Sequence, residues 1–84
     1  MTEEPWRIEI RGSALKDLRR LSRTDRERLA AAIDKLPAGD VRKLTGVERI
    51  WRLRVGDWRV LFRVDYATKL IDVQAVRPRG RAYD

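Results

Sequence analysis

Chemistry in this chain falls to arginine. Cysteine and histidine are absent, which removes thiolate nucleophiles, disulfides, cysteine–histidine zinc sites, histidine triads and histidine acid–base pairs. What remains is a series of guanidinium groups at alternating positions. Arg52 and Arg54 precede Gly56-Asp57, and Arg59 and Arg63 follow it. Arg77, Arg79 and Arg81 resume the alternation near the end of the chain, with Tyr83 beyond them. Guanidinium binds phosphate through paired hydrogen bonds and stabilises charge developing at phosphorus. RNA carries its own nucleophile, the 2′-hydroxyl, so a protein can cleave it by holding that group in line with the phosphorus, without a metal. The acids Glu48, Asp57, Asp65 and Asp72 are scattered, so neither a metal site nor a cofactor is expected. Arginine gives up its proton reluctantly, and such an enzyme would lean on positioning more than on proton transfer. These residues permit a metal-free ribonuclease without demanding one; a protein that only binds RNA fits them too.

The arginines need a scaffold, and residues 50–64 provide one. Gly56 and Asp57 tolerate the positive φ of a two-residue hairpin turn. A turn that short pairs Val55 with Trp58, Arg54 with Arg59, Leu53 with Val60, Arg52 with Leu61 and Trp51 with Phe62. Strand side chains alternate between faces. Trp51, Leu53, Val55, Trp58, Val60, Phe62 and Val64 therefore share an apolar, core-facing side. Arg52, Arg54, Arg59 and Arg63 share the other, with Leu61 among them, and this side is expected to stay open. Like charges set directly opposite each other, as Arg54 and Arg59 are, cost up to ~1 kcal/mol. A bound anion would offset that cost. A solvated face that discourages sheet aggregation is the other reading, and the hairpin alone leaves both standing.

The rest of the chain reads as elements that pack against the apolar side. Trp6, Ile8 and Ile10 alternate with Arg7, Glu9 and Arg11, the pattern of a half-buried strand. Ser13 is a candidate N-cap for a short helix whose stripe is Leu15, Leu18 and Leu21, with Lys16, Asp17, Arg19 and Arg20 facing water. Thr24 and Glu27 have capping-box spacing for a second helix lined by Leu29, Ile33 and Leu36 and ended by Pro37. Residues 38–48 read as a loop carrying Arg42 and Lys43. A last strand over 70–76 places Ile71, Val73 and Ala75 inward and Asp72, Gln74 and Val76 outward, before Pro78 ends the ladder. The order β-α-α-β-β-β predicts an α+β fold, with a two-helix hairpin on one face of a mostly antiparallel sheet.

With 84 residues and a net charge of +7, one domain spanning 1–84 is expected. The charge is uneven. Residues 1–41 hold nine Lys/Arg and eight Asp/Glu (+1), whereas residues 42–84 hold eleven and five (+6). A basic excess confined to the sheet half is the footprint of a polyanion partner. No apolar run approaches a membrane span and the N-terminus lacks a signal-peptide pattern, so a soluble cytoplasmic protein is expected.

Three motifs in order resemble the RelE/ParE superfamily of type II toxin–antitoxin toxins. They are Arg42-Lys43-Leu44-Thr45-Gly46; Ile50-Trp51-Arg52-Leu53-Arg54-Val55-Gly56-Asp57-Trp58-Arg59-Val60; and Val76-Arg77-Pro78-Arg79 with Tyr83. Ala14-Leu15-Lys16-Asp17-Leu18 extends the likeness over nearly the whole chain. RelE-like members are metal-independent ribonucleases that cut mRNA in the ribosomal A site through 2′-hydroxyl attack. The resemblance implies phosphate contact and 2′-hydroxyl activation for Arg52 and Arg54, and transition-state stabilisation for Arg59. It implies protonation of the leaving oxygen for Arg79 and base stacking for Tyr83. Arg42, Lys43, Arg63, Arg77 and Arg81 complete the candidate RNA contacts. The implied partners are an acidic antitoxin, mRNA and the ribosome, with no membrane and with DNA met only through the toxin–antitoxin complex. ParE-like members instead poison DNA gyrase and usually lack the catalytic set. Two departures bear on mechanism: arginine stands at 52 where lysine is common, and Pro78 replaces a position often polar. The chain also ends one residue after Tyr83, so no following helix is expected to hold that tyrosine.

Overall fold

The computed structural model describes residues 6–44 and 49–78. Its elements are β1 (Arg7–Ile10), α1 (Gly12–Arg19), α2 (Arg23–Asp34), β2 (Asp40–Lys43), β3 (Ile50–Val55), β4 (Trp58–Asp65) and β5 (Leu70–Pro78). The strands form one five-stranded sheet in the order β1-β5-β4-β3-β2. β1 runs parallel to β5 and every other pairing is antiparallel. Two helices on a mixed sheet make an α+β fold.

The hairpin at the centre follows from alternation and turn chemistry. All the expected pairs form, from Val55 with Trp58 out to Trp51 with Phe62, and Ile50 with Arg63 beyond them. Of the two turn residues only Gly56 takes a positive φ, +57, which is the signature of a II′ turn. The apolar side is buried beneath the helices. Leu53, Val60, Phe62, Ile71, Val73 and Val76 meet Ala14, Leu18, Leu29, Ile33 and Leu36 in one cluster. Trp51 and Trp58 pack at its margin, half-buried.

The helices differ from expectation in their details. α1 buries Ala14 and Leu18, four residues apart, while Leu15 remains 41% exposed. The small Ala14 side chain lets the helix approach the sheet closely. The N-cap of α2 is Ser22, not Thr24: Ser22 Oγ accepts a hydrogen bond from the Asp25 amide at 3.1 Å. Glu27, free of capping duty, pairs one turn back with Arg23 Nε at 3.1 Å. Ser22→Ala should therefore cost about 1 kcal/mol in denaturant unfolding, and Thr24→Ala almost nothing.

Two features of the sheet also differ. The segment expected as loop contains β2, whose residues Asp40, Val41, Arg42 and Lys43 pair with Arg54, Leu53, Arg52 and Trp51. Only Val41 in this edge strand is apolar, so the sequence pattern is faint, and its charges protect the open edge from further pairing. Gly39 leads into it at φ +118, where a Cβ would lie 2.8 Å from Leu53 Cδ1. The second feature is a β-bulge. Leu61 pairs with Ala75 and Phe62 with Val73, leaving Gln74 as an extra residue. From there on the strand's facing is reversed relative to simple alternation. Val76 turns inward (4% exposed) and Ala75 outward, the opposite of what alternation predicts.

α1 also completes the sheet's edge. β1 accompanies β5 only as far as Val73, whose carbonyl accepts from the Arg11 amide at 2.9 Å. Past that point two side chains of α1 take over. Ser13 Oγ donates to the Gln74 carbonyl at 2.7 Å, and Asp17 Oδ2 accepts from the Val76 amide at 2.9 Å. Residues four apart share a helix face, so Ser13 and Asp17 serve as two rungs of a missing strand. Ser13 is thus not the N-cap; Arg11 holds that position without a side-chain bond. Nor is Asp17 left to solvent.

Candidate functional site

Cross-strand pairing builds the site on the sheet face opposite the helices. Arg54 pairs with Arg59 and Arg59 with Arg77, so three guanidinium-bearing residues stand directly opposite one another on β3, β4 and β5. Neighbouring strands lie ~4.8 Å apart, so the three residues stand side by side; Arg59 and Arg77 line one groove and Arg54 lines another. Asp40 on β2 ends this row beside Arg54. The adjacent row runs Arg42, Arg52, Leu61 and Ala75, and the next Ile50, Arg63 and Asp72. The bulge at Gln74 brings Arg77 into the set. Were Gln74 paired with Leu61 instead, Arg77 would fall on the helix side.

The face is less open than the alternation implied. Arg59 keeps only 3% of its surface exposed and the Arg52 side chain 12%, whereas Arg42, Arg54, Arg63 and Arg77 are exposed. The reason is position: Arg52 and Arg59 sit on inner strands with basic or apolar neighbours on both sides. Arg52 Nη1 is buried without a hydrogen bond among the described residues and lies 3.9 Å from Asp40 Oδ1, an ion-pair distance too long for a hydrogen bond. Removing an ion from water costs several kcal/mol. A site that already holds its cations dry has met that cost before an anion arrives.

Other expected contacts separate. Lys43 pairs with Trp51, outside the Arg54–Arg59–Arg77 row, and lines another cavity with Arg49 and Arg63. Arg63 lies further along β4, beside Asp72. Arg79, Arg81 and Tyr83 lie outside the described residues. A groove of about 450 Å³ runs along the face. Leu44, Ile50, Leu61 and Ala75 supply its apolar lining, while Arg11, Arg59, Arg77 and Gln74 bring its polar groups. No carboxylate lines it among the described residues, and no cluster of three or more acids there could hold a metal. Arg77 Nη1 bonds Asp17 Oδ2 at 2.9 Å and Arg11 Nε bonds Asp72 Oδ2 at 3.1 Å. These pairs fix two of the rim cations. Asp17, Ser13, Arg11 and Gln74 are contributors that sequence reasoning missed. The four-residue spacing of Ser13 and Asp17 was a visible signal; the bulge had none.

Asp17→Ala removes two hydrogen bonds at once, one of them to a buried-edge amide. It should destabilise the domain by about 2 kcal/mol, read as a shift of the denaturant midpoint. Asp17→Asn keeps an acceptor for Val76 and should lose about half as much.

This architecture recurs in known proteins. Over 92% of this chain and 98% of the other, it superimposes on the toxin of the archaeal RelE–RelB complex from Pyrococcus horikoshii with a TM-score of 0.73 and 30% identity. The intact E. coli RelBE toxin–antitoxin complex shares the fold, with a TM-score of 0.70 at 21% identity over 92% of this chain and 100% of the other. A protein called RelE1 from Methanocaldococcus jannaschii is 26% identical over 85 residues, 93% of this chain and 94% of its own length. The fold is thus that of a RelE/ParE-superfamily toxin domain. Residues 8–83 match the model of the ParE toxin of type II toxin–antitoxin systems, and the chain belongs to that family, within the RelE/ParE superfamily of toxins.

Proposed function

We propose that this toxin is a metal-independent endoribonuclease that cuts mRNA on the ribosome. The observation that carries the reading is the Arg54–Arg59–Arg77 row with Arg59 buried in its middle. A phosphodiester seated over the row meets a desolvated cation at its centre and exposed cations on either side. The 2′-hydroxyl oxygen then attacks phosphorus as its proton passes to water; its bond to phosphorus forms and the bond to the 5′-oxygen breaks, leaving a 2′,3′-cyclic phosphate and, once that oxygen is protonated, a 5′-hydroxyl. Arg52 and Arg54 hold the phosphate and orient the hydroxyl. Arg59 stabilises the added negative charge of the phosphorane. In this reading Arg79 delivers the proton to the leaving oxygen and Tyr83 stacks on a base. Arg42, Arg63, Arg77 and Arg81 extend the electrostatic footprint. An acidic antitoxin covering the same face would silence the protein in the cytoplasm, as the toxin–antitoxin composition of the matching complexes suggests.

The test is to express the protein beside a translated message and map new 5′ ends. Discrete cuts are expected. Intact message beside arrested growth would eliminate the reading. A second reading, non-enzymatic inhibition of DNA gyrase, draws on the match to the ParE family and on Arg52 standing where ribonucleases of this kind often have lysine. It predicts that purified protein blocks supercoiling and that message stays whole.

A further inference from the structure

Gln74 is the one neutral side chain with both a donor and an acceptor that the bulge brings to the groove. It lines the cavity beside Arg59 and Arg77, over the apolar surface of Ile50, Leu61 and Ala75. Among the described residues its carboxamide has no partner: Ser13 bonds only its backbone carbonyl, at 2.7 Å. The flanking Arg77 and Arg11 are occupied by Asp17 and Asp72. The backbone of Gln74 is therefore held while its side chain is free to bond. An extra residue in a ladder costs pairing, and this one is fastened from outside by a helix hydroxyl.

We propose that Gln74 is a specificity-determining residue that reads one nucleobase next to the scissile phosphate. This rests on the ribonuclease reading of the groove. A cavity of about 450 Å³ is within the ~300–1,000 Å³ range of small-ligand sites. Its apolar surface accepts the flat face of an unstacked base, and the carboxamide meets the base's edge. Single-stranded RNA is recognised in this way, by stacking on the faces and hydrogen bonding at the edges. A carboxamide offers one N–H and one C=O side by side, so it forms two bonds with an edge that presents the complementary pair. The arginines supply affinity for phosphate, which is the same at every nucleotide. Gln74 supplies the discrimination they cannot.

The test uses the full chain and a set of in vitro translated messages that differ only in the nucleotide flanking the cut. Wild-type protein should favour one base by roughly five- to a hundredfold, the range of a two-bond side-chain–base pair. Gln74→Leu should bring that ratio close to one while the thermal midpoint holds. Gln74→Glu presents acceptors only, and should move the preference toward guanine, whose Watson–Crick edge offers two adjacent donors. The Glu variant tests the proposal even where the Leu variant folds poorly. A wild-type ratio preserved in both variants, or no base preference in the wild type, would overturn it. Messages left intact by the wild type would instead bring down the ribonuclease reading on which it stands.

Discussion

Arg59→Met is expected to lower message cleavage at least a hundredfold while leaving the domain folded. The size of the loss follows from the role: one charge-stabilising group removed from a transition state costs ~10²–10³ in rate. Arg59 sits between Arg54 and Arg77 and is only 3% exposed, so no water can replace it efficiently. Methionine fills similar volume without charge, so the packing around the site is kept while the guanidinium is lost. Arg59→Lys keeps the charge and loses the two-pronged geometry, and should fall between. Single-turnover cleavage alongside a melting curve separates the two effects. A variant that melts like the wild type and cuts like it would remove Arg59 from the mechanism.

Phe62→Ala should bring the second large effect, on stability alone. Phe62 is fully covered (0% exposed) and is the largest of the completely buried side chains among the described residues. It lies between the helices and the middle of the sheet, where relaxation into the void requires two layers to move. Truncations of this kind cost ~3–5 kcal/mol, against a total of ~5–15 kcal/mol for a natural domain. Small chains fall toward the lower end of that range. The thermal midpoint should drop by about 12–40 °C, taking ~4–8 °C per kcal/mol for a domain of this size. Leu15→Ala, at a site 41% exposed, should change it by an amount near the limit of measurement. Thermal unfolding followed by circular dichroism checks both.

What could be read from the chain depended on whether the signal was periodic. The central hairpin was legible to the residue, because strict alternation either side of Gly56 leaves one register that puts Leu53, Val60 and Phe62 together on the buried side. The α2 line of Leu29, Ile33 and Leu36 was equally plain, and all three are buried. Where tertiary contacts decided the outcome, the pattern failed. β2 carries one apolar residue in four and exists because β3 offers it a ladder. The cap of α2 fell to Ser22 because the helix begins earlier than its apolar stripe does. The open arginine face was legible as a face, but its depth was not: alternation says which side Arg59 takes, and says nothing of how far its neighbours bury it. The rim contacts of Ser13 and Asp17 depend on where β1 stops, which no local pattern encodes.

The inserted residue in β5 also bears on how such a groove evolves. On either side of Gln74 the strand obeys two separate parities. Before it the odd positions Ile71 and Val73 pack inward, after it the even position Val76 does, and neither half constrains the other's even and odd positions. Deleting Gln74 would put the whole ladder in step and keep Val73 opposite Phe62, Val76 opposite Val60 and Arg77 opposite Arg59, so the arginine row would survive without the bulge. Pairing Gln74 with Leu61 instead would drive Arg77 under the helices and push Val76 into the groove, trading a cation for a methyl-bearing side chain in a single event. A one-residue slip is enough to create this half of the site or to erase it.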